Sequence, residues 1–409
     1  MGWDRLTPTT GGIGTGAPVT TITKTPEEAR SQIVSMVRDF VRREVEPAAP
    51  QHDAEDTVPY DLIDRMKELG LFGINVPEEY GGMGLDYTTF AMIFEEISKG
   101  YMALTGALGT HHILTYVLTH YGNQEQRDRF LPRLASGQIR GGLALTEPGG
   151  GSDVGALQTR AVKDGEEYVV NGSKMFITNA ESGDAFCLLA RTDPDPSIKH
   201  RGLSAFVIEK DGSPGFKVGR HLDKLGYRGL DTCELFFEDF RIPAENLIGG
   251  VENVGFGHVM SGLETGRINV GARAVGVAQA ALDASMRYIQ QRESFGVPIS
   301  QHQAIQLKIA DMATKIQAAR LLVYDAADKK DSGERIDLES GMAKLFASEV
   351  CGEVSMEAMR IHGGYGYTKD FPVERYYRDA PLMIIGEGTN EIMRLVIARQ
   401  LLRRPEYQL

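Results

Sequence analysis

The chain has 409 residues, more than one hydrophobic core usually organises, which predicts two or three domains. Apolar residues make up 42% and charged residues 24%, as in ordinary globular proteins, and the length excludes a small stapled module. Lysine and arginine number 44 against 56 acidic residues, a net charge of -12, so the chain lacks the basic surplus of a nucleic-acid-binding protein.

Three features of the sequence indicate the cellular compartment of the protein. Cys187, Cys233 and Cys351 are far apart and odd in number, which predicts free thiols in a reducing compartment. Every apolar run is shorter than the eighteen or more residues that a membrane helix needs, so no membrane association is predicted. Residues 1–24 resemble neither a signal peptide nor a transit peptide, and we interpret them as a flexible tail on a soluble protein.

Residues 25–140 predict an all-helical domain. Apolar residues from Ile33 to Val45 recur at helical spacing and predict one face of a helix. Two further helices are predicted near Tyr60–Leu69 and Tyr87–Lys99, because their apolar residues recur in the same way.

The hydrophobic period changes at about residue 141, where strand-like segments begin. Glu167–Val170 and Met175–Thr178 flank Asn171-Gly172, a turn able to take positive φ, and this pattern predicts a β-hairpin. Further strands are predicted at Ala185–Ala190, Leu203–Glu209 and Cys233–Arg241. Short strands with turn signals between them predict a small β domain over 141–250.

Helical period returns over residues 251–409, so the chain is predicted to be mainly α with a central β domain. Apolar residues from Ile305 to Val323 are spaced alternately four and three apart, as in the seam of a helix bundle. The segment Val254–Glu293 carries six glycines, each costing about 1 kcal/mol in a helix relative to alanine. Either a neighbouring helix or a ligand approaches it closely, or it breaks into two shorter helices.

A glycine-rich loop stands where helices give way to strands. Thr146–Asp153 contains three adjacent glycines, whose backbone amides can fold against a ligand without interference from Cβ. Thr146 and Ser152 add hydroxyl groups that can donate or accept hydrogen bonds. The spacing is not that of a P-loop, and the segment is either a ligand-binding loop or a domain linker.

Glu387 lies between two glycines near the carboxyl terminus. It is a candidate general base, because flanking glycine lets a substrate approach the backbone and an apolar setting would raise the carboxyl pKa. A solvated loop glutamate is the alternative. His111 and His112 lack the HExxH spacing, so we interpret them as surface or core histidines and predict no metal site.

Seven short stretches share their order and spacing with one known family. They are Val76–Gly82, Leu145–Asp153, Lys174–Asn179, Arg292–Gly296, His362–Tyr367, Tyr377–Ala380 and Glu387–Thr389. Each is modestly specific, but seven in register are strong, and from about Pro26 onward the chain resembles the acyl-CoA dehydrogenases. The resemblance implies an N-terminal helical domain, a middle β barrel and a C-terminal four-helix bundle, in agreement with the order of blocks above.

The resemblance also implies an activity. It implies noncovalent FAD and oxidation of an acyl-CoA thioester to its trans-2-enoyl product, in fatty acid or branched-chain amino acid catabolism. Glu387 would remove the α-proton while hydride leaves the β-carbon for flavin N5, and the electrons would pass to an electron-transfer flavoprotein. A homotetramer is implied. Because the tail lacks a transit signal, we expect a bacterial cytoplasmic location, with the mitochondrial matrix as the alternative. The length and branching of the acyl group stay open.

The family pattern further implies contacts at particular positions. The residues predicted to contact the flavin are Leu145, Thr146, Gly151, Ser152, Phe176 and Thr178. The residues predicted to contact the pyrophosphate and adenine half of FAD are Arg292, Phe295, Gln303, Arg360, Gly363 and Gly364. The first three would do so across a subunit interface. Cofactor contacts just after the base would be Thr389 and Glu391. The substrate would contact Ser152, Arg267 and Gly388.

Several positions depart from the family pattern, and three of them bear on the cofactor and base assignments. Phe176 stands where many relatives carry tryptophan, which keeps an aromatic wall but loses the indole N–H donor. Arg360 replaces a frequent glutamine and would meet a phosphate or ribose oxygen instead. Gly266 occupies the alternative base position of isovaleryl-type and long-chain members, and because glycine cannot be a base, the assignment to Glu387 is strengthened.

Three other functions were weighed against a dehydrogenase. A flavin oxidase or monooxygenase is disfavoured by the glutamate and by the loop with Thr146 and Ser152. A decarboxylating dicarboxyl-CoA enzyme would need an extra cation at the acyl end, which the sequence alone does not place. A noncatalytic helical scaffold is disfavoured by the intact base and cofactor positions.

Overall fold

The structure is a computed structural model that describes residues 24–210 and 212–404, so residues 1–23 of the predicted tail lie outside it. The first part of the chain is helical. Its helices are α1 Glu27–Phe40, α2 Glu46–Glu55, α3 Tyr60–Glu68, α4 Tyr87–Gly100, α5 Met102–Tyr121 and α6 Gln124–Ala135. The two helices predicted near residues 60 and 87 are confirmed, and a π-helical turn joins α1 to α2.

A seven-stranded sheet follows the helices. Its strands are β1 Gly141–Ala144, β2 Arg160–Asp164, β3 Glu167–Thr178, β4 Ala185–Arg191, β5 Leu203–Glu209, β6 Phe216–His221 and β7 Thr232–Pro243. The strand order is β1-β4-β2-β3-β7-β6, with β5 paired to β4 off this path. β1 runs parallel to β4, whereas β3 is antiparallel to both β2 and β7.

The hairpin turn predicted at Asn171-Gly172 is wrong. β3 runs unbroken through both residues, and the chain reverses between Asp164 and Glu167 instead. Gly172 lies at a register shift against β7, where an added Cβ would lie 2.6 Å from Oγ1 of Thr159. This glycine therefore serves a bulge and a close backbone approach, which glycine in a strand often marks.

Two hydrophobic cores meet at β4, whose residues are buried on both faces. Cys187 and Leu189 point into the large core shared with the helices, whereas Phe186 and Leu188 point into a second core within the curled sheet. Alternate residues of a strand face opposite sides of the sheet, so β4 joins the two cores.

The last part of the chain is helical again. Its helices are α7 Gly255–Gln291, α8 Gln303–Asp331, α9 Asp337–His362, α10 Val373–Ile385 and α11 Asn390–Leu402, and a small ribbon of β8 Glu293–Ser294 and β9 Val297–Pro298 follows α7. α7 is one continuous helix, and close neighbours account for five of its six glycines, Gly257 being the exception. A Cβ added to Gly276 would lie 2.4 Å from the carbonyl oxygen of Glu95 on α4. A Cβ added to Gly271 would lie 2.8 Å from Val323 on α8.

The cysteines and the paired histidines are core residues. Cys187, Cys233 and Cys351 are buried and free, as predicted. His111 and His112 are buried on α5, each with Nε2 3.0 Å from a backbone carbonyl oxygen. Within the described ranges, no helix combines the length and apolar character that crossing a membrane requires.

Candidate active site

Glu387 lies in a short turn between α10 and α11. It has a left-handed backbone conformation with φ of 53°, and Gly388 follows with φ of 92°. A left-handed conformation costs a residue with a Cβ about 1 to 2 kcal/mol. Such strain persists where surrounding structure enforces it, and it clusters at functional sites. Glu387 is one of nine described non-glycine residues with positive φ, and it is the one that the sequence marks as a candidate base.

The Glu387 carboxylate is packed against α7. Its side chain is 15% exposed, Oε1 lies 3.7 Å from Nη2 of Arg273, and Oε2 is buried without a hydrogen-bond partner among the described residues. A Cβ added to Gly266 would lie 2.1 Å from Oε2, so this glycine makes room for the carboxylate. Burial raises the pKa of Glu387, and Arg273, Lys344 and Arg267 oppose the rise. The group therefore suits proton abstraction better than an exposed carboxylate does.

Lys344, on α9, holds the turn that carries Glu387. Its Nζ donates hydrogen bonds to the carbonyl oxygen of Ile384 at 3.0 Å, to that of Gly388 at 2.8 Å and to Oδ1 of Asn390 at 2.8 Å. Burial lowers the pKa of Lys344 to about 8. Because an ammonium group has three N–H donors, all of them are used, and they fix the turn on both sides of the carboxylate.

Arg273 forms a buried polar cluster beside the base. Its Nε donates to Oδ1 of Asn269 at 2.6 Å, and its Nη1 donates to the hydroxyl of Tyr227 at 3.3 Å. Burial raises the pKa of Tyr227, and contacts with Arg273 and Thr178 oppose the rise. The cluster thus extends from Glu387 to Thr178, which was predicted to lie beside the flavin.

Arg267, the predicted substrate contact, is buried next to Gly266. Its Nη1 lies 3.9 Å from Oδ1 of Asp337, and neither Nε nor Nη1 has a hydrogen-bond partner among the described residues. Glu264, one helical turn before Arg267, is paired with Lys330, whose Nζ lies 3.6 Å from its Oε2. Burial lowers the pKa of Arg267, although the neighbouring carboxylates oppose this. Nε and Nη1 therefore have hydrogen-bonding capacity that a polar ligand could use.

A buried ion pair ties the glycine-rich loop to β3. Nζ of Lys174 lies 2.9 Å from Oε1 of Glu147 and donates to the carbonyl oxygen of Leu145 at 3.0 Å. The backbone N–H of Met175 donates to the carbonyl oxygen of Thr146 at 2.8 Å. Burial lowers the pKa of Lys174 to about 8. The loop is therefore anchored to β3 at its start.

The predicted flavin-side residues leave open space beside this anchored loop. Leu145, Thr146 and Thr178 are half-buried, and Gly151 and Ser152 are exposed. A Cβ added to Gly149 or Gly150 would meet no atom within 4 Å. Phe176 is 62% exposed on β3, with φ of 62°. An aromatic ring held exposed on a strained backbone fits contact with a ligand.

A second group of predicted cofactor residues lies where α7 ends. Arg292 caps α7, and its guanidinium lies 5.8 Å from the ring centre of Tyr365. Both residues line a cleft of 390 Å³ between α7 and the end of α9. Phe295 is 97% exposed with φ of 52°, and Gln303 is exposed at the start of α8. These side chains face outward, as an interface between subunits would require.

The remaining predicted residues lie at helix ends. Gly363 and Gly364 follow α9, are exposed, and would tolerate a Cβ without contact within 4 Å. Arg360 is paired with a glutamate three residues earlier, so its guanidinium already has an anionic partner. The Thr389 hydroxyl accepts from a backbone N–H at 3.3 Å and caps α11, and Glu391 is exposed in the first turn of that helix.

The structure brings Glu387, Gly388 and Arg267 together around one stretch of α7, while Arg292 and its neighbours form a separate group. Four residues around the candidate base Glu387 were not predicted from the sequence: Arg273, Asn269, Tyr227 and Lys344. Arg273 lies two helical turns after Gly266, so helical spacing was the available signal. For Lys344 the signal was a lysine within the small and apolar residues of α9.

Comparison with known protein families covers nearly the whole described chain. The model for the acyl-CoA dehydrogenase N-terminal domain matches residues 27–138, the middle-domain model matches 142–240 and the C-terminal-domain model matches 253–402. An acyl-CoA dehydrogenase of Bacillus subtilis is 46% identical to the chain, over 90% of this chain and 96% of the relative.

Solved structures agree in fold. Butyryl-CoA dehydrogenase from Megasphaera elsdenii is 38% identical with a TM-score of 0.90, covering 93% of this chain and 99% of that chain. A chain in the structure described as the electron transferring flavoprotein of Acidaminococcus fermentans is 43% identical with a TM-score of 0.89, over the same shares. From these matches and the fold, the chain belongs to the acyl-CoA dehydrogenase family of oxidoreductases.

Proposed function

We propose that this protein uses FAD to oxidise an acyl-CoA thioester to trans-2-enoyl-CoA, with Glu387 as the base. The observation that carries the proposal is the Glu387 carboxylate, which is buried, held on a strained turn and unpaired at Oε2. A buried carboxylate oxygen without a partner is costly, and a protein retains such a cost where the group acts on a ligand.

The residues present fit FAD. The flavin is a flat ring system with polar edges. It suits the open space beside the glycines of the anchored loop and the exposed ring of Phe176. A cleft bordered by Arg292 suits an anionic pyrophosphate. We assign the flavin side to Leu145, Thr146, Gly151, Ser152, Phe176 and Thr178. We assign the rest of the cofactor to Arg292, Phe295, Gln303, Arg360, Gly363, Gly364, Thr389 and Glu391. When bound, FAD supplies the acceptor for the hydride that leaves the β-carbon.

The chain's own contribution is proton abstraction and positioning. Burial strengthens Glu387 as a base, and the surrounding cations keep its anionic form accessible. Lys344 and its three hydrogen bonds hold the carboxylate in one place. By family analogy the backbone N–H of Glu387 polarises the thioester carbonyl, which makes the α-proton more acidic. Ser152, Arg267 and Gly388 are assigned to the substrate side.

Assembly and electron transfer belong to the same proposal. We propose a homotetramer that passes electrons to an electron-transfer flavoprotein, supported by the outward-facing Phe295 and by the relatives described above. Domain limits at residues 24, 140 and 250 are proposed with it. The bacterial relative supports a cytoplasmic location, with the mitochondrial matrix as the alternative.

An anaerobic titration tests the proposed function. The purified protein is expected to show an oxidised flavin spectrum and to lose its visible flavin band when one class of acyl-CoA is added from a panel of short, branched, medium, long and dicarboxylic acyl groups. A colourless protein that binds no added FAD would favour a scaffold. A flavin that no acyl-CoA bleaches would contradict the dehydrogenase.

Gly266→Ala is expected to lower kcat by about 100-fold without loss of FAD. The added Cβ would lie 2.1 Å from Oε2 of Glu387, so the carboxylate must move, and a displacement near 1 Å costs on this order. Gly257→Ala is the matched control, because it is on the same helix and its Cβ would meet nothing within 4 Å. Equal activity in the two variants would show that Gly266 does not accommodate the base.

A further inference from the structure

Arg273 and Glu387 are each other's only ion-pair partner among the described residues. Nη2 of Arg273 lies 3.7 Å from Oε1 of Glu387, which is within ion-pair range although longer than a hydrogen bond. The two side chains are 5% and 15% exposed, so water and salt screen the pair weakly. The ionisation of the carboxyl group is therefore coupled closely to the charge of the guanidinium.

Three cations face the Glu387 carboxylate, and Arg273 acts on it most. Burial raises the pKa of Glu387, and Arg273 opposes the rise more than Lys344 or Arg267 does. Arg267 forms its own ion pair with Asp337, and Lys344 donates its three N–H groups to neutral oxygens. Arg273 is therefore the cation whose charge is directed at the base.

The other titratable groups around the pair are neutral, paired or exposed. Tyr227, from the loop before β7, is neutral because burial raises its pKa above the ordinary value. Glu264 on α7 is paired with Lys330 on α8. Glu391, at the start of α11, is exposed to solvent. None of these groups replaces the guanidinium as the counterion of the base.

Neutral groups hold Arg273 in place. Its Nε donates to Oδ1 of Asn269 at 2.6 Å, and its Nη1 donates to the hydroxyl of Tyr227 at 3.3 Å. The backbone N–H of Tyr227 donates in turn to Oδ1 of Asp379 at 2.7 Å, which supports a backbone with φ of 58°. On α5, Gly109 leaves room for the guanidinium, since an added Cβ would lie 2.0 Å from Nη2. These contacts turn Nη2 toward the base.

We propose that Arg273 is a positioning residue that keeps Glu387 anionic and so sets the lowest pH at which the base removes the α-proton. The inference rests on the proposed function, in which Glu387 is that base. Burial favours the neutral carboxylic acid, which cannot accept a proton, whereas a neighbouring cation favours the carboxylate. Loss of the guanidinium therefore moves the deprotonation of Glu387 to higher pH.

The pH dependence of kcat/KM for flavin reduction tests the proposal in the FAD-loaded enzyme, because this quantity reports ionisations of the free enzyme. Arg273→Gln removes the charge and keeps a polar side chain. We expect it to move the acidic limb of the profile upward by about 1 to 3 pH units, with the rate returning toward the wild-type value above that limb. Arg273→Lys keeps the charge and should keep most of the wild-type profile.

A surface variant controls for the change of net charge. Arg241 on β7 is 52% exposed and pairs with Asp164 and Glu167, so Arg241→Gln should leave the acidic limb in place. Burial raises the pKa of Asp379 to about 6. Because Asp379 is present in every variant, the comparison is made between profiles and not on the wild-type limb alone.

A double-mutant cycle adds a readout that does not depend on turnover. The urea midpoint of unfolding is measured for the wild type, Arg273→Gln, Glu387→Gln and the double variant, at a pH above the wild-type acidic limb. Arg273→Gln should lower the midpoint more when Glu387 is present than when it is glutamine. Only in the first case does the variant leave a buried carboxylate without its counterion.

Two results overturn the inference. One is an acidic limb that stays in place while the rate falls equally at every pH, and the other is an equal loss of urea midpoint in both backgrounds. Either would make Arg273 a purely structural residue. Should Arg273→Gln not fold, Arg273→Met carries the same expectations. If Glu387→Gln reduces the flavin as fast as the wild type, the proposed function itself fails.

Discussion

Glu387→Gln is expected to lower turnover by about 10⁴-fold while FAD remains bound. Removing a general base costs about 10² to 10⁴ in rate, and the upper end applies because the α-proton of a thioester is weakly acidic. Glutamine keeps the length of the side chain and the same left-handed backbone at this position, so the turn is not newly strained. The loss should therefore be chemical.

The control for this variant is Glu353→Gln on α9. Glu353 is exposed and pairs with Lys315 on the surface, so the same change of charge is made away from the site. Flavin content, thermal stability and the rate of flavin reduction by substrate are measured for both proteins. Near-wild-type reduction in Glu387→Gln would remove Glu387 from the mechanism.

Lys344→Met is expected to lower kcat by about 100-fold and to destabilise the protein by roughly 3 to 5 kcal/mol. The variant removes three hydrogen bonds, leaves two carbonyl oxygens and an amide oxygen without their donor, and frees the turn that carries Glu387. A base misplaced by about 1 Å costs on the order of 100-fold in rate. KM for acyl-CoA should change much less than kcat, because Lys344 acts through the turn.

Lys315→Met provides the comparison. Its ammonium lies on α8 with 48% of the side chain exposed and pairs with Glu353, so its loss should cost less than about 1 kcal/mol. Activity and the free energy of unfolding by urea are measured for both variants. A Lys344→Met enzyme that is unstable but fully active at low temperature would show that Lys344 supports the fold and not the base.

The sequence predicted the order of helical and β parts because period and turn signals are local properties. It failed at Asn171-Gly172, where a strong turn signal is overridden by pairing of β3 with β2 and β7. It left open whether the glycines of α7 break the helix. The answer depends on neighbours such as Glu95 and Val323, which are distant in the sequence.

The sequence predicted the site residues that belong to a recognisable motif. It did not predict those whose role depends on packing between distant segments. Glu387 is marked by its two flanking glycines and by the family pattern. Arg273 and Lys344 lie on different helices, and each has a role only because it contacts the turn that carries Glu387. Both residues were missed for this reason, since α7, α9 and the turn after α10 meet only in the folded chain.

Isotope effects on flavin reduction test the Glu387 mechanism most directly. The FAD-loaded enzyme is mixed anaerobically, in a stopped-flow instrument, with the acyl-CoA that bleaches it fastest, either unlabelled or deuterated at the α- or β-carbon. We expect both labels to slow bleaching of the wild-type flavin, and we expect Glu387→Gln to bleach about 10⁴-fold more slowly. Bleaching that is insensitive to the α-label, or that is unaffected by the loss of Glu387, would contradict α-proton abstraction by this residue.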